Sequence, residues 1–132
     1  MTAIRRIRVP HQLPTPISHY ADGVVADGWL WISGMLALDN TGRLIGGGDV
    51  VKQATRVHAN LKAVLDEVGA GFEDVVKVTV YLRRIEHRAA VNNVRRRFFG
   101  KSRPASTLVE VSAFVVPGAL VEIDAVARVP TR

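Results

Sequence analysis

Apolar positions change their spacing repeatedly along the chain, and each change marks an element. Residues 21–26 and 29–33 are β-branched and aromatic runs joined by Asp27-Gly28, the pair that suits a two-residue type I′ hairpin turn, where both central residues need positive φ. Ser33-Gly34 is expected to end the second of these strands. Ahead of them, residues 4–9 mix Ile and Val with Arg and read as a basic edge strand, after which Pro10, Pro14 and Pro16 keep the backbone extended. From Asp49 the period lengthens: Val50, Ala54, Val57, Leu61, Val64, Leu65 and Val68 recur at steps of three and four. Asp49 is placed to cap this helix and Gly69 to stop it, with Lys52, Arg56, Asn60, Lys62, Asp66 and Glu67 on its polar face. Val75–Leu82 is again β-branched, and Arg88–Phe99 is helical with Val91, Val94 and Phe98 on one side. Two alternating runs close the chain, 106–111 and 119–126, and Pro117-Gly118 between them predicts a β-hairpin.

The order strands, helix, strand, helix, strands predicts an α+β fold, with two helices packed on one face of a mixed sheet of about six strands and right-handed crossovers at both helices. A length of 132 residues suits a single domain spanning 1–132. No apolar run approaches the roughly 18 residues of a membrane span, and the first residues lead into no signal-peptide core, so a cytoplasmic protein without a membrane partner is expected. The absence of cysteine removes disulfides, thiolate metal sites and a cysteine nucleophile. The four histidines, His11, His19, His58 and His87, lack the spacing of a metal site. Gly46-Gly47-Gly48 lacks the spacing of a phosphate-binding loop and reads as a flexible connection. A net charge of +6 favours anions, whether carboxylate, phosphate or nucleic acid, without choosing among them.

Chemistry concentrates near the C-terminus. In the last run Glu122 and Asp124 fall on one face, about 7 Å apart. The segment Pro104-Ala105-Ser106-Thr107-Leu108-Val109-Glu110-Val111, the Pro117-Gly118 loop and Val121-Glu122-Ile123-Asp124-Ala125 together resemble the RidA/YjgF family, also called the L-PSP or enamine/imine deaminase family. The similarity extends from about Pro16 to Val129. It implies a chorismate-mutase-like fold, a homotrimer with ligand clefts between subunits, and imine or enamine hydrolysis that needs no cofactor. By the same resemblance Glu122 is the catalytic carboxylate that positions water, and Tyr20, Ser33, Gly34, Asn92, Ser106 and Thr107 line the substrate site. Family members carry arginine where this chain has Ser106. A guanidinium grips a carboxylate through two parallel charge-assisted hydrogen bonds that serine cannot reproduce, so the usual small substrate, 2-iminopropionate, is not expected here. Arg103, or a neutral group on the ligand bonded by Ser106 and Thr107, would be the alternatives to that grip.

Two other classes of function remain open on the residues. Without the arginine, the trimer could bind a metabolite and not turn it over. Some relatives of this kind are described as translation inhibitors or endoribonucleases, and Arg95-Arg96-Arg97 with Arg83, Arg84 and Arg88 would supply phosphate contacts. Consecutive helical residues fan over about 200°, however, and no aromatic stacking platform accompanies them, so a nucleic-acid partner is disfavoured.

Overall fold

The computed structural model describes residues 3–131. The Asp27-Gly28 turn forms as its residue types require, with φ of 51° and 81°. It joins β2 (Gly23–Ala26) to β3 (Trp29–Met35), and β1 (Arg5–Ile7) pairs antiparallel along the outer edge of β2. β3 does not end at Ser33-Gly34. It continues to Met35, and the pairing register slips between Ile32 and Met35, so both residues sit in an irregular stretch of the strand.

The first helix, α1 (Val50–Asp66), starts where Asp49 accepts hydrogen bonds from the N–H groups of Val51 and Lys52 at 2.9 and 3.2 Å, a cap worth about 1 kcal/mol. Its apolar stripe packs into the main core. The polar face is narrower than the pattern predicts, because Asn60 is buried together with Gln53 and His58. The Asn60 carboxamide donates to the carbonyls of Leu36 and Leu38, at 3.0 Å each, and accepts from Gln12 Nε2 at 2.9 Å. A helix position can be interior and polar when neighbouring backbone needs a partner, and residue-type periodicity does not register that need.

The remaining strands are β4 (Val75–Leu82), β5 (Ala105–Glu110) and β6 (Val121–Arg128), with α2 (Arg88–Phe99) between β4 and β5. They complete a six-stranded sheet in the order β1-β2-β3-β6-β4-β5, parallel only where β4 meets β5. The α+β class and two-helix, six-strand arrangement are as expected, whereas the β5–β6 hairpin is not formed. β4 lies between the two strands: its end is bracketed by Val111 N–H donating to Leu82 O at 2.8 Å and Arg83 N–H donating to Leu120 O at 3.0 Å. The Pro117-Gly118 turn reverses the chain, but the segment from Val111 to Leu120 is long enough to carry it across β4, and there β6 gains ladder partners on both sides, β3 and β4.

Both helices pack against the face that carries Leu30, Ile32, Val78, Val80, Ile123 and Ala125, all within one buried cluster. Alternation sends Trp29, Trp31, Thr79, Tyr81, Glu122 and Asp124 to the opposite face, which no helix covers. Trp31 is 53% exposed there.

Candidate active site

Glu122 lies on the strand flanked by two others, with its backbone opposite Tyr81 and its carboxylate over Gly34. A Cβ at position 34 would stand 2.9 Å from Glu122 Cδ and closer still to Oε2. Only glycine therefore lets the carboxylate settle onto the backbone of β3. Glu122 is half-buried, and that burial raises its pKa above the ordinary glutamate value, with Asp124 on the same face adding to the rise. Among the described residues no arginine is paired with Asp124. Its Oδ2 accepts from the Tyr81 hydroxyl at 2.9 Å, which in turn raises the pKa of Tyr81. Substituting Gly34→Ala is expected to displace the carboxylate and lower turnover by at least tenfold at nearly unchanged stability of the fold, measured as kcat beside the urea midpoint; unchanged kcat would remove the seat assigned to Glu122.

Around Glu122 lies a cleft of about 350 Å³ lined by Ile17, Ser18, Tyr20, Ser33, Gly34, Leu36, Val115 and Glu122. Tyr20, Ser33, Gly34 and Glu122, singled out from the sequence, are thus neighbours. Tyr20 stands half exposed at the rim. The Ser33 hydroxyl donates to Ala21 O at 2.6 Å and ties the strand to the segment that carries Tyr20. Two buried amides from α1 hold the surrounding loops. Asn60 holds 36–38 through the contacts above, and Gln53 donates to Gly118 O at 3.0 Å and to Gly47 O at 2.6 Å while accepting from Leu120 N–H at 2.8 Å. Sequence reasoning missed these amides, and it also missed the apolar walls Ile17, Leu36 and Val115, which loop residues supply without any periodic signal.

The other predicted positions lie elsewhere in the chain. Asn92 and Ser106 line a second pocket of about 190 Å³ on the helix side of the sheet, with Val80, Arg88, Val91, Arg95 and Leu108. Asn92 is within α2 and not at its start, since the preceding cap is His87. Thr107 is in neither pocket: one step along the strand it faces the open side, where Lys77 Nζ donates to its Oγ1 at 2.6 Å. Ser106 and Thr107 therefore cannot bond the same ligand group within one subunit. Arg103 is not the guanidinium at Ser106. It lines a neighbouring groove of about 670 Å³, whereas Arg95 Nη1 donates to Ser106 Oγ at 2.9 Å. Asn92 and Arg95, three apart, share one face of α2. Arg96 and Arg97 are exposed, as the fan of consecutive helical residues requires.

Among the described residues, no group of three or more His, Cys, Asp and Glu side chains is arranged to hold a metal ion, and no helix is long and apolar enough to cross a membrane.

Comparison with known proteins agrees with this architecture. A RutC family protein of Synechocystis sp. is 43% identical over 122 residues, covering 91% of this chain and 93% of its own. The 2-iminobutanoate/2-iminopropanoate deaminase of Capra hircus is 38% identical over 125 residues, covering 94% and 90%. The crystal structure of RidA from an Antarctic Psychrobacter species superposes with a TM-score of 0.87 at 30% identity, covering 94% of this chain and 98% of that one. The profile of the family described as Endoribonuclease L-PSP matches residues 10–129. This chain belongs to that L-PSP family, in which the RidA and RutC proteins are its relatives.

Proposed function

We propose that the protein hydrolyses imines and enamines without a cofactor, in clefts completed where subunits of a homotrimer meet, with Glu122 holding the attacking water. The observation that carries this reading is the seat of Glu122. A carboxylate with a raised pKa, pressed against glycine backbone at the base of a cleft rimmed by Tyr20, is suited to exchange protons with water. Glu122 takes a proton as water oxygen adds to the imine carbon. The same carboxyl passes it to nitrogen to give the carbinolamine R₂C(OH)NH₂, then takes the hydroxyl proton and delivers it to nitrogen as the C–N bond breaks, so that R₂C=NH and water become R₂C=O and ammonia. Enamines enter after tautomerising to the imine. The deaminase name of the 38% identical Capra hircus relative supports the reaction class.

Assembly is supported by two features of the single chain. Its helix-free sheet face exposes Trp29 and Trp31, an apolar surface of the kind that self-association covers. The predicted ligand residues other than Thr107 also divide between two pockets, so a neighbouring subunit is needed to bring Ser106 opposite Glu122. With serine at position 106 the two-point grip on a carboxylate next to the imine carbon is lost. Such a loss costs on the order of 2 to 5 kcal/mol for a buried charge contact, which makes 2-iminopropionate a poor substrate.

The same substitution favours a second reading, a trimer that binds a metabolite without turnover. An RNA-directed role has less support, because Phe98 and Phe99 are occupied in a ring cluster with His58 and Phe72 and present no stacking platform. The discriminating measurement is ammonia release from a panel of imines and enamines generated in situ, on a preparation whose sedimentation shows three copies. Release above the buffer rate is expected, greater for larger imines than for 2-iminopropionate. A panel with no acceleration leaves the binding reading in its place.

A further inference from the structure

We infer that the substrate of the Glu122 cleft is a neutral imine with a branched apolar body and no carboxylate next to the imine carbon, and that Val115 sets this preference from the rim. The inference rests on the hydrolysis proposed above and names the substrate class of that same site.

Charge decides first. Although the chain carries a net charge of +6, no described lysine, arginine or histidine lines this cleft, and its one acid is Glu122. The next charged group along the same face of β6 is a second acid, Asp124. A carboxylate bonded to the imine carbon would stand beside Glu122 whenever that carbon came within reach of the water Glu122 holds. Like charges at that separation oppose each other, and no cation in the cleft offsets them. The imine nitrogen is attracted instead. Its N–H finds acceptors in Glu122 and in Ser33, whose own hydroxyl proton is committed to Ala21 O at 2.6 Å. Ser106, the group a neighbouring subunit is proposed to bring opposite, adds a hydroxyl and no charge, while Arg95 is held against it on the helix side of the sheet.

The walls give the body of the substrate. Three large exposed side chains, Val115 at 74%, Ile17 at 50% and Tyr20 at 45%, border this one cleft together with Leu36. Apolar surface gathered around a concavity is what the hydrocarbon part of a ligand covers. At about 350 Å³ the space lies at the small end of the range of about 300–1,000 Å³ typical of ligand sites. It continues as a crevice of about 30 Å³ that shares Ile17 and Leu36 and adds Leu13, Met35 and Leu38. A space of that order takes one water-sized group, and apolar walls make a methyl branch the better occupant. The acid of the crevice, Asp22, is matched by Arg8 and by Val9 N–H at 2.8 Å. Val115 comes from the connection between β5 and β6 and is the most exposed of these walls, so a substitution there alters the rim and leaves the core and the Glu122 seat in place.

The test pairs 3-methylbutan-1-imine with 2-imino-4-methylpentanoate, which share an isobutyl body and differ by one carboxylate. The first is generated in situ from isopentylamine by a flavin amine oxidase and the second from leucine by an amino-acid oxidase, and ammonia release is compared with the buffer rate of the same imine. The neutral imine is expected to be accelerated roughly tenfold or more beyond the imino acid. Val115→Ser should raise KM for the neutral imine by roughly tenfold with kcat little changed. Val115→Lys, which places an ammonium at the rim, should cut the preference by a similar factor. An unchanged thermal midpoint shows that the variants are folded. Equal or greater acceleration of the imino acid by the wild type, or a preference indifferent to Val115→Lys, would overturn the inference and leave hydrolysis standing. If neither imine is accelerated, hydrolysis fails separately, and calorimetry with isovaleramide and isovalerate decides the ligand class. Tighter isovaleramide, with the advantage reduced in Val115→Lys, upholds a neutral apolar ligand; isovalerate bound as tightly, or no saturable binding of either, overturns it.

Discussion

Glu122→Gln is expected to lower kcat for imine hydrolysis by roughly 10²- to 10⁴-fold, the range for loss of a positioned general base, with KM changed much less. Glutamine has nearly the same size and still fits over Gly34, so the cleft keeps its shape. It can accept a hydrogen bond from water but cannot take the proton as the C–O bond forms, and the loss therefore falls on the transition state. The wild type should lose activity toward acid along a limb displaced above the ordinary glutamate value, because burial and the neighbouring Asp124 both hold Glu122 protonated longer. The variant should lack that limb. Equal kcat in the two proteins would show that Glu122 is a structural acid on the open face and that hydrolysis, if it occurs, is driven from elsewhere.

The fold was readable where the chemistry is local. Asp27-Gly28 specified its own turn, Asp49 its own cap, and the three-and-four spacing the buried stripe of α1. The hairpin expectation failed because Pro117-Gly118 says that the chain turns and not which strand receives it; the ladders that β6 makes with β3 and β4 depend on residues far away in sequence. The site divides in the same way. Glu122, Gly34, Ser33 and Tyr20 were suggested by a family resemblance, and the structure places them around one cleft. Strand alternation already separated Ser106 from Thr107, by the rule that put Glu122 beside Asp124. Arg95 could not be matched to Ser106 from sequence, because that contact exists only once α2 has packed over β5. Asn60 and Gln53 were hidden for another reason: their polarity suggested solvent, while their partners are backbone groups of loops that periodicity does not describe.

Acidification from about pH 7 to pH 4 is expected to cost the fold about 3 kcal/mol through one residue, His58. The imidazole is buried in α1, stacked on Phe98 at a centroid distance of 5.1 Å, with Phe72 and Phe99 around it. Its Nδ1 meets Ala54 O at 2.7 Å and so carries the hydrogen, and Nε2 has no partner among the described residues. A second proton would place a charge in this aromatic cage with no acceptor, near Arg95 and Arg97. Burial is the main cause that draws the pKa down to about 4, and the two arginines act in the same direction against the Ala54 hydrogen bond. In the unfolded chain the group titrates near 6.5, so between about 6.5 and 4 the unfolded state binds more protons and stability rises with pH. The contribution is whole above that window, is lost as pH falls through it, and changes little below it, where the native imidazole is protonated as well. Urea unfolding at fixed protein concentration across this range should show the loss, and His58→Leu should flatten the curve by the same amount, since leucine fills the cage without titrating. The difference between the two proteins isolates His58 from carboxylates that titrate in the same range. Parallel curves for wild type and variant would mean that the buried ring accepts its proton at no cost, and the aromatic cage would then have to open more readily than its packing indicates.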